Sequence, residues 1–157
     1  MTPFMVGHVT LNYITRIKSA NQPTLGDSYT LARIAERAYE EQGCMIDFCE
    51  YMFVILASRS GKVLGAVKVG EGGTDFCSAD IKKIMAAACI SGASNIALVH
   101  NHPQSAARPS KADLDITREV EKACNIFGVR LLDHLILADY DTDGNHRYYS
   151  MRDNGDI

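Results

Sequence analysis

Short apolar runs alternate with helix-period segments along most of this chain, and that order leaves few folds open. Tyr51 to Ala57 is an apolar run too short for a helix and rich in strand formers. Ser58-Arg-Ser-Gly61 breaks it, and Lys62 to Val69 reads as a second strand, so the two form a hairpin. Asn95 to Val99 is a short buried strand that ends on His100, and Val129 to Ala138 is another. Three segments carry helical spacing instead. Leu31, Ile34, Ala35, Ala38 and Tyr39 mark a helix over about 28–42, opened by Asp27-Ser28 and stopped by Gly43. Ala79 to Ser91 is alanine-rich, with Gly92 behind it. Ser110 to Phe127 sets Ile116, Val120, Ala123 and Phe127 on one face ahead of Gly128. After the turn signal Asp141-Thr-Asp-Gly144, Arg147 to Met151 reads as a last short strand. Strands and helices alternating after an opening helix and hairpin predict an α/β sandwich with a mixed sheet.

A chain of 157 residues fits one domain over 1–157, with residues 1–26 as an N-terminal extension. Sixteen Lys and Arg against nineteen Asp and Glu give a net charge of −3. That balance excludes a general nucleic-acid coat protein, which needs clustered positive charge, and leaves a local basic patch open. No stretch approaches the roughly 18 apolar residues of a membrane span. Met1 to Ile14 has no basic start or long apolar run, so it does not read as a secretory signal. Cys44, Cys49, Cys77, Cys89 and Cys124 include no Cys-x-x-Cys pair. They read as reduced, mostly buried thiols of a cytoplasmic protein rather than as a zinc site.

Chemistry concentrates in the segment from His100 to Asp113. Two histidines one residue apart at a strand end point to the same side. Neutral imidazoles converging in this way make a zinc pair. Asp113, on the first turn of the next helix, can swing back toward them. His, His and Asp fill three positions of a tetrahedral zinc and leave the fourth for water, as catalytic sites do. Pro-Ser-x-x-Asp is also a capping-box-like helix start, in which Ser110 caps backbone amides and Asp113 favours the helix dipole. Both readings stand on spacing alone.

His100, His102, Ser110 and Asp113 match at every fixed position the pattern His-x-His, seven residues, Ser, two residues, Asp. The chain thereby resembles the JAMM, or MPN-type, metalloproteases. The wider context of "LVHNHP", "PSKADLDITREV", "LLDHLILAD" and "YYSM" resembles the RadC family, which has a JAB/MPN domain and an old "DNA repair protein" name. The likeness covers the chain from about residue 28 to its end and is closest in the middle. It implies a three-layer α/β/α sandwich with a mixed sheet, of cytidine-deaminase-like architecture. It implies one zinc ion per chain, held by His100, His102 and Asp113, with Ser110 orienting or stabilising the oxyanion. The family also needs an upstream Glu as general base. Glu50, just before the Tyr51–Ala57 strand, is the best match, and Glu71 in the glycine turn is the second candidate.

Two departures from RadC proteins stand out. Their loop reads His-Asn-His-Pro-Ser-Gly, whereas Gln104-Ser105 follows Pro103 here, so the loop is free to take another path. Full RadC proteins also carry a helix-hairpin-helix domain ahead of the JAB domain. The segment before residue 28 is too short for one, and DNA binding through it is not expected.

The resemblance implies a zinc-dependent hydrolase acting on a peptide or isopeptide bond, with a peptide or protein substrate in the bacterial cytoplasm. A catalytically weak MPN scaffold is the alternative, and a nucleic-acid enzyme the third reading. The last lacks both the His-x-Glu with Pro-Cys-x-x-Cys of the deaminases and the carboxylate cluster of the nucleases. A homo-oligomer is left open. Among the remaining residues, His134 beside Asp133 is a buried core histidine or a contact to ligands or substrate. Asn101 points away from its flanking histidines and ties the loop backbone. Arg108 is an exposed loop residue able to meet a substrate carboxylate, His146 reads as a solvated loop residue, and His8 is uninformative.

Overall fold

The computed structural model describes Tyr13 and residues 18–72, 79–140, 144 and 146–157. His8 and Cys77 lie outside them. Among these residues, three α-helices and five β-strands follow in chain order: α1 (Ser28–Glu41), β1 (Tyr51–Ala57), β2 (Val63–Glu71), α2 (Ile81–Ser91), β3 (Asn95–Asn101), α3 (Lys111–Phe127), β4 (Arg130–Tyr140) and β5 (His146–Ser150). The strands form one sheet in the order β2-β1-β3-β4-β5. Only the β3–β4 pair is parallel; the other three are antiparallel, so the sheet is mixed.

β1 explains the layering. All seven of its residues are buried, as a strand with both faces covered must be. Alternation sends Tyr51, Phe53 and Ile55 to one face, where Leu31, Ala35 and Tyr39 of α1 pack on them. Met52, Val54 and Leu56 go to the other, against Ile84 and Met85 of α2 and Val120 and Cys124 of α3. The result is the three-layer α/β/α sandwich. β3 repeats the pattern, with Ile96 and Leu98 toward α2 and α3 and Ala97 and Val99 toward α1. Among the described residues, no helix is long and apolar enough to cross a membrane.

Element ends differ from the sequence expectation by two residues or fewer at most positions. β2 runs on to Glu71 because Tyr51 pairs opposite it, and β3 runs on to Asn101 beside Leu137 of β4. Asp80 and Ser110 are N-caps outside α2 and α3, accepting from Lys83 and Asp113 backbone N–H groups. Pro23 and Leu25 are tied to the hairpin, with Val63 N donating to Pro23 O and Leu25 N donating to Gly61 O (both 2.8 Å).

The cysteines need a correction. All four described thiols are free, but only Cys124 is buried; Cys44 and Cys49 are half-buried and Cys89 is exposed. Cys89 lies on α2 outside the positions that meet the sheet, and the other two lie in the loop before β1.

Gly92 and Gly128 close α2 and α3, both with φ 67°. A Cβ at either meets nothing within 4 Å, so replacing them tests backbone strain alone. Gly128→Ala is expected to cost about 1 kcal/mol in urea unfolding, and Gly128→Asn less, because Asn tolerates the left-handed region.

Candidate metal centre

β3 delivers two histidines to one side of the sheet. The His102 N–H donates to Leu137 O (2.8 Å), so the ladder extends one residue beyond the strand. Period two is unbroken, and both rings face α3. Their Nε2 atoms lie 2.9 Å apart. Asp113, in the first turn of α3, sets Oδ1 3.2 Å from His100 Nε2 and Oδ2 3.4 Å from His102 Nε2. His102 Nδ1 faces the Ala106 carbonyl at 3.2 Å. A neutral ring donating there leaves Nε2 bare. Among the described residues, this is the one convergent group of three metal-ligating side chains, and it can hold a metal ion. The His100 side chain is wholly enclosed, but that of His102 is 18% exposed, so the site opens to solvent on the His102 side.

The capping box and the donor cluster use the same carboxylate. Asp113 Oδ2 accepts from Ser110 N (2.7 Å), while Asp113 N donates to Ser110 Oγ (3.2 Å). The cap therefore orients the carboxylate toward the histidines instead of competing with that role. Burial pushes the Asp113 carboxyl up, but contacts with the His100 and His102 rings, wherever those rings carry a proton on Nε2, outweigh that and hold it far below the usual range. The Asp113 contact raises His102 against the opposing effect of burial. Glu50 adds a smaller push in the same direction, so its charge is felt at the site.

Glu50 directly precedes β1, is half-buried, and accepts from Gly72 N through its carbonyl (2.9 Å). Glu71 is exposed at the end of β2, where its carboxylate pairs with Lys68 Nζ (2.5 Å). Ser110 is exposed at the N-terminus of α3, and Arg108 is exposed in the preceding loop. Asn101 ties the loop down as expected. Fully buried, it accepts from Tyr51 N (2.8 Å) and donates to Ile46 O (2.7 Å) and Cys49 O (2.8 Å). In the loop that departs from the RadC pattern, Gln104 takes φ 52°, a left-handed conformation where the usual sequence carries small residues.

His134 is fully buried, and burial lowers its pKa well below the ordinary value. Its ring meets His100, with Nε2 2.7 Å from His100 Nδ1, and Thr117, with Nδ1 2.5 Å from Oγ1. Asp133 is not its ring partner. That carboxylate accepts from Ser150 Oγ and from the backbone N–H groups of His134 and Arg152. Thr117 was not singled out by sequence reasoning. The available signal was its place four residues after Asp113, which puts both on one helix face.

The chain is similar in sequence to known proteins. The RadC-like JAB domain matches residues 27–156. A UPF0758 protein of Porphyromonas gingivalis is 42% identical over 106 residues, covering 68% of this chain and 44% of the relative. One from Flavobacterium johnsoniae is 32% identical, with the same coverage. One from Streptococcus equi subsp. equi is 28% identical over 147 residues, covering 94% of this chain and 62% of the relative. The chain thus spans between 44% and 62% of the length of these three relatives. Matched over nearly all of its described fold, the chain belongs to the RadC-like JAB domain family.

Proposed function

We propose that this domain is a zinc-dependent hydrolase of the JAMM type, a metallopeptidase or isopeptidase with one zinc per chain and a peptide or protein substrate. Convergence of donor atoms from β3 and α3 carries the reading. A tetrahedral zinc with arms of about 2.0–2.1 Å spaces its donors about 3.3 Å apart. The separations here are 2.9, 3.2 and 3.4 Å. Two imidazoles and a carboxylate also leave one of four positions for water.

Bound by His100, His102 and Asp113, zinc would make a water nucleophilic near neutral pH and offset charge growing on the scissile carbonyl oxygen. Glu50 takes the proton of the attacking water and returns it to the leaving amine. Ser110 donates a hydrogen bond from its hydroxyl to the carbonyl oxygen as that atom becomes an oxyanion. Its oxygen is held by the Asp113 N–H, a contact that does not consume this proton. The same reading puts the domain in the bacterial cytoplasm, where its free thiols stay reduced, with no membrane or nucleic-acid partner bound through this domain.

Elemental mass spectrometry is expected to find about one zinc per chain, lost in His102→Ala. Glu50→Gln is expected to keep the zinc and lose about 100-fold or more of peptide hydrolysis, measured on a peptide library. Protein that takes up no zinc on incubation overturns the reading. So does a Glu50→Gln enzyme that cleaves at the wild-type rate.

A further inference from the structure

Behind His100 runs a buried polar chain for which the reaction above has no use. Thr117 Oγ1 lies 2.5 Å from Asp113 O and 2.5 Å from His134 Nδ1; His134 Nε2 lies 2.7 Å from His100 Nδ1. Thr117 and His134 are 1% and 0% exposed, so no water competes for these contacts. A core position beside Leu135 and Ile136 is an expensive place for an imidazole unless its hydrogen bonds are doing something specific.

Counting protons gives the chain a direction. A carbonyl cannot donate, so the short contact between Thr117 Oγ1 and Asp113 O takes the single hydroxyl proton. The other neighbour of that hydroxyl, Met151 Sδ at 3.4 Å, supplies none. The proton between Thr117 Oγ1 and His134 Nδ1 is then the histidine's. A neutral imidazole protonated on Nδ1 has only an acceptor at Nε2, so the proton between the two rings belongs to His100 Nδ1. His100 Nε2, the atom facing His102 and Asp113, is left as a lone pair.

We propose that Thr117 and His134 are positioning residues that lock His100 in the Nδ1–H tautomer and keep its Nε2 lone pair turned to the metal position, an inference that rests on the metal-site reading above. A free neutral histidine favours the opposite tautomer, whose Nε2 proton would block the ligand atom. Asp113 and Thr117 sit one turn apart on α3, so one helix sets both the donor in front of His100 and the anchor behind it.

The test starts with metal-stripped, 15N-labelled wild-type protein. Long-range 1H–15N correlation at about pH 8, where an ordinary imidazole is neutral, reads the tautomer without any metal. The expected spectrum has His100 protonated on Nδ1 and bare on Nε2, and His134 protonated on Nδ1. Thr117→Val keeps the shape and removes the acceptor. It is expected to release both rings from this tautomer and to lower zinc affinity about 10- to 100-fold in chelator competition, with Thr117→Ser restoring both. A wild-type spectrum with the proton on His100 Nε2 overturns the inference, whether or not Thr117→Val folds. So does a folded Thr117→Val protein with wild-type tautomers and wild-type zinc affinity. Expected tautomers in a protein that binds no zinc would uphold the lock and instead overturn the reading of the metal site.

Discussion

Asp113→Ala is expected to empty the metal site and to loosen the start of α3 at once. The carboxylate faces both Nε2 atoms and also accepts the Ser110 N–H, so truncation removes one of the three convergent donor groups and half of the capping box together. The two losses differ in size. Losing a cap interaction costs about 1 kcal/mol. Losing an ion present at about 1,000 times its Kd removes about 4 kcal/mol of apparent stability. In zinc-containing buffer the variant is therefore expected to melt far below wild type, and in chelator the gap should shrink to the cap's share. Asp113→Asn keeps an oxygen for Ser110 N but is a poorer ligand, so it should lose the metal and keep most of the chelator-state stability. Thermal melts with and without chelator, beside elemental mass spectrometry, check all three. Wild-type zinc content in Asp113→Ala would remove Asp113 from the site.

The same pair sets a pH window in metal-free protein. The folded pKa of Asp113 is depressed, so its contribution is present above the ordinary 3.8 and fades as pH falls. The folded pKa of His102 is raised, so its contribution is full below the ordinary 6.5 and fades as pH rises through the folded value. Stabilisation by the pair is greatest between those limits.

Asn101→Ala is expected to be the most damaging change next to the metal site, although Asn101 offers nothing to a metal. Its amide satisfies one buried N–H and two carbonyls. An unsatisfied buried group costs about 1–3 kcal/mol, and partial relaxation of the loop brings the three together to about 3–5 kcal/mol. That is a large part of a typical stability of about 5–15 kcal/mol. Urea unfolding is expected to show this loss, with greater hydrogen exchange in the 44–50 loop of the surviving fold. Asn101→Asp should recover only part, since a carboxylate can accept from Tyr51 N but cannot donate to Ile46 O and Cys49 O. Stability within 1 kcal/mol of wild type in Asn101→Ala would mean that other groups satisfy the loop.

The sequence exposes those parts of this molecule that rest on local chemistry. β1 follows from a short apolar run of strand formers and α3 from periodicity, and the donors His100, His102 and Asp113 from a strand end, a cap and their spacing. Asn101 was legible because alternate residues of a strand oppose each other. The chain behind His100 was not. His134 comes beside it through parallel pairing of β3 with β4, and Thr117 through the packing of α3 on that sheet. Neither contact leaves a periodic trace. The Asp133-His134 dipeptide suggests a pair, but the carboxylate is taken up by Ser150 and backbone amides. Cys89 misleads for a related reason: its type says interior, while its place on α2 says surface.

β1 also sets the length scale of the whole centre. Met52 pairs directly with His100, and Glu50 precedes Met52 by two residues. The backbone distance between Glu50 and His100 is thus counted in rungs of a ladder, at about 3.3 Å per residue. It can change only in whole steps, and a single step also turns every side chain of β1 to the wrong face. Such a spacing is digital. It resists gradual drift, so amino-acid changes elsewhere in the domain can soften the structure around the centre while leaving its calibration intact, whereas one residue inserted into or deleted from 51–57 would erase it.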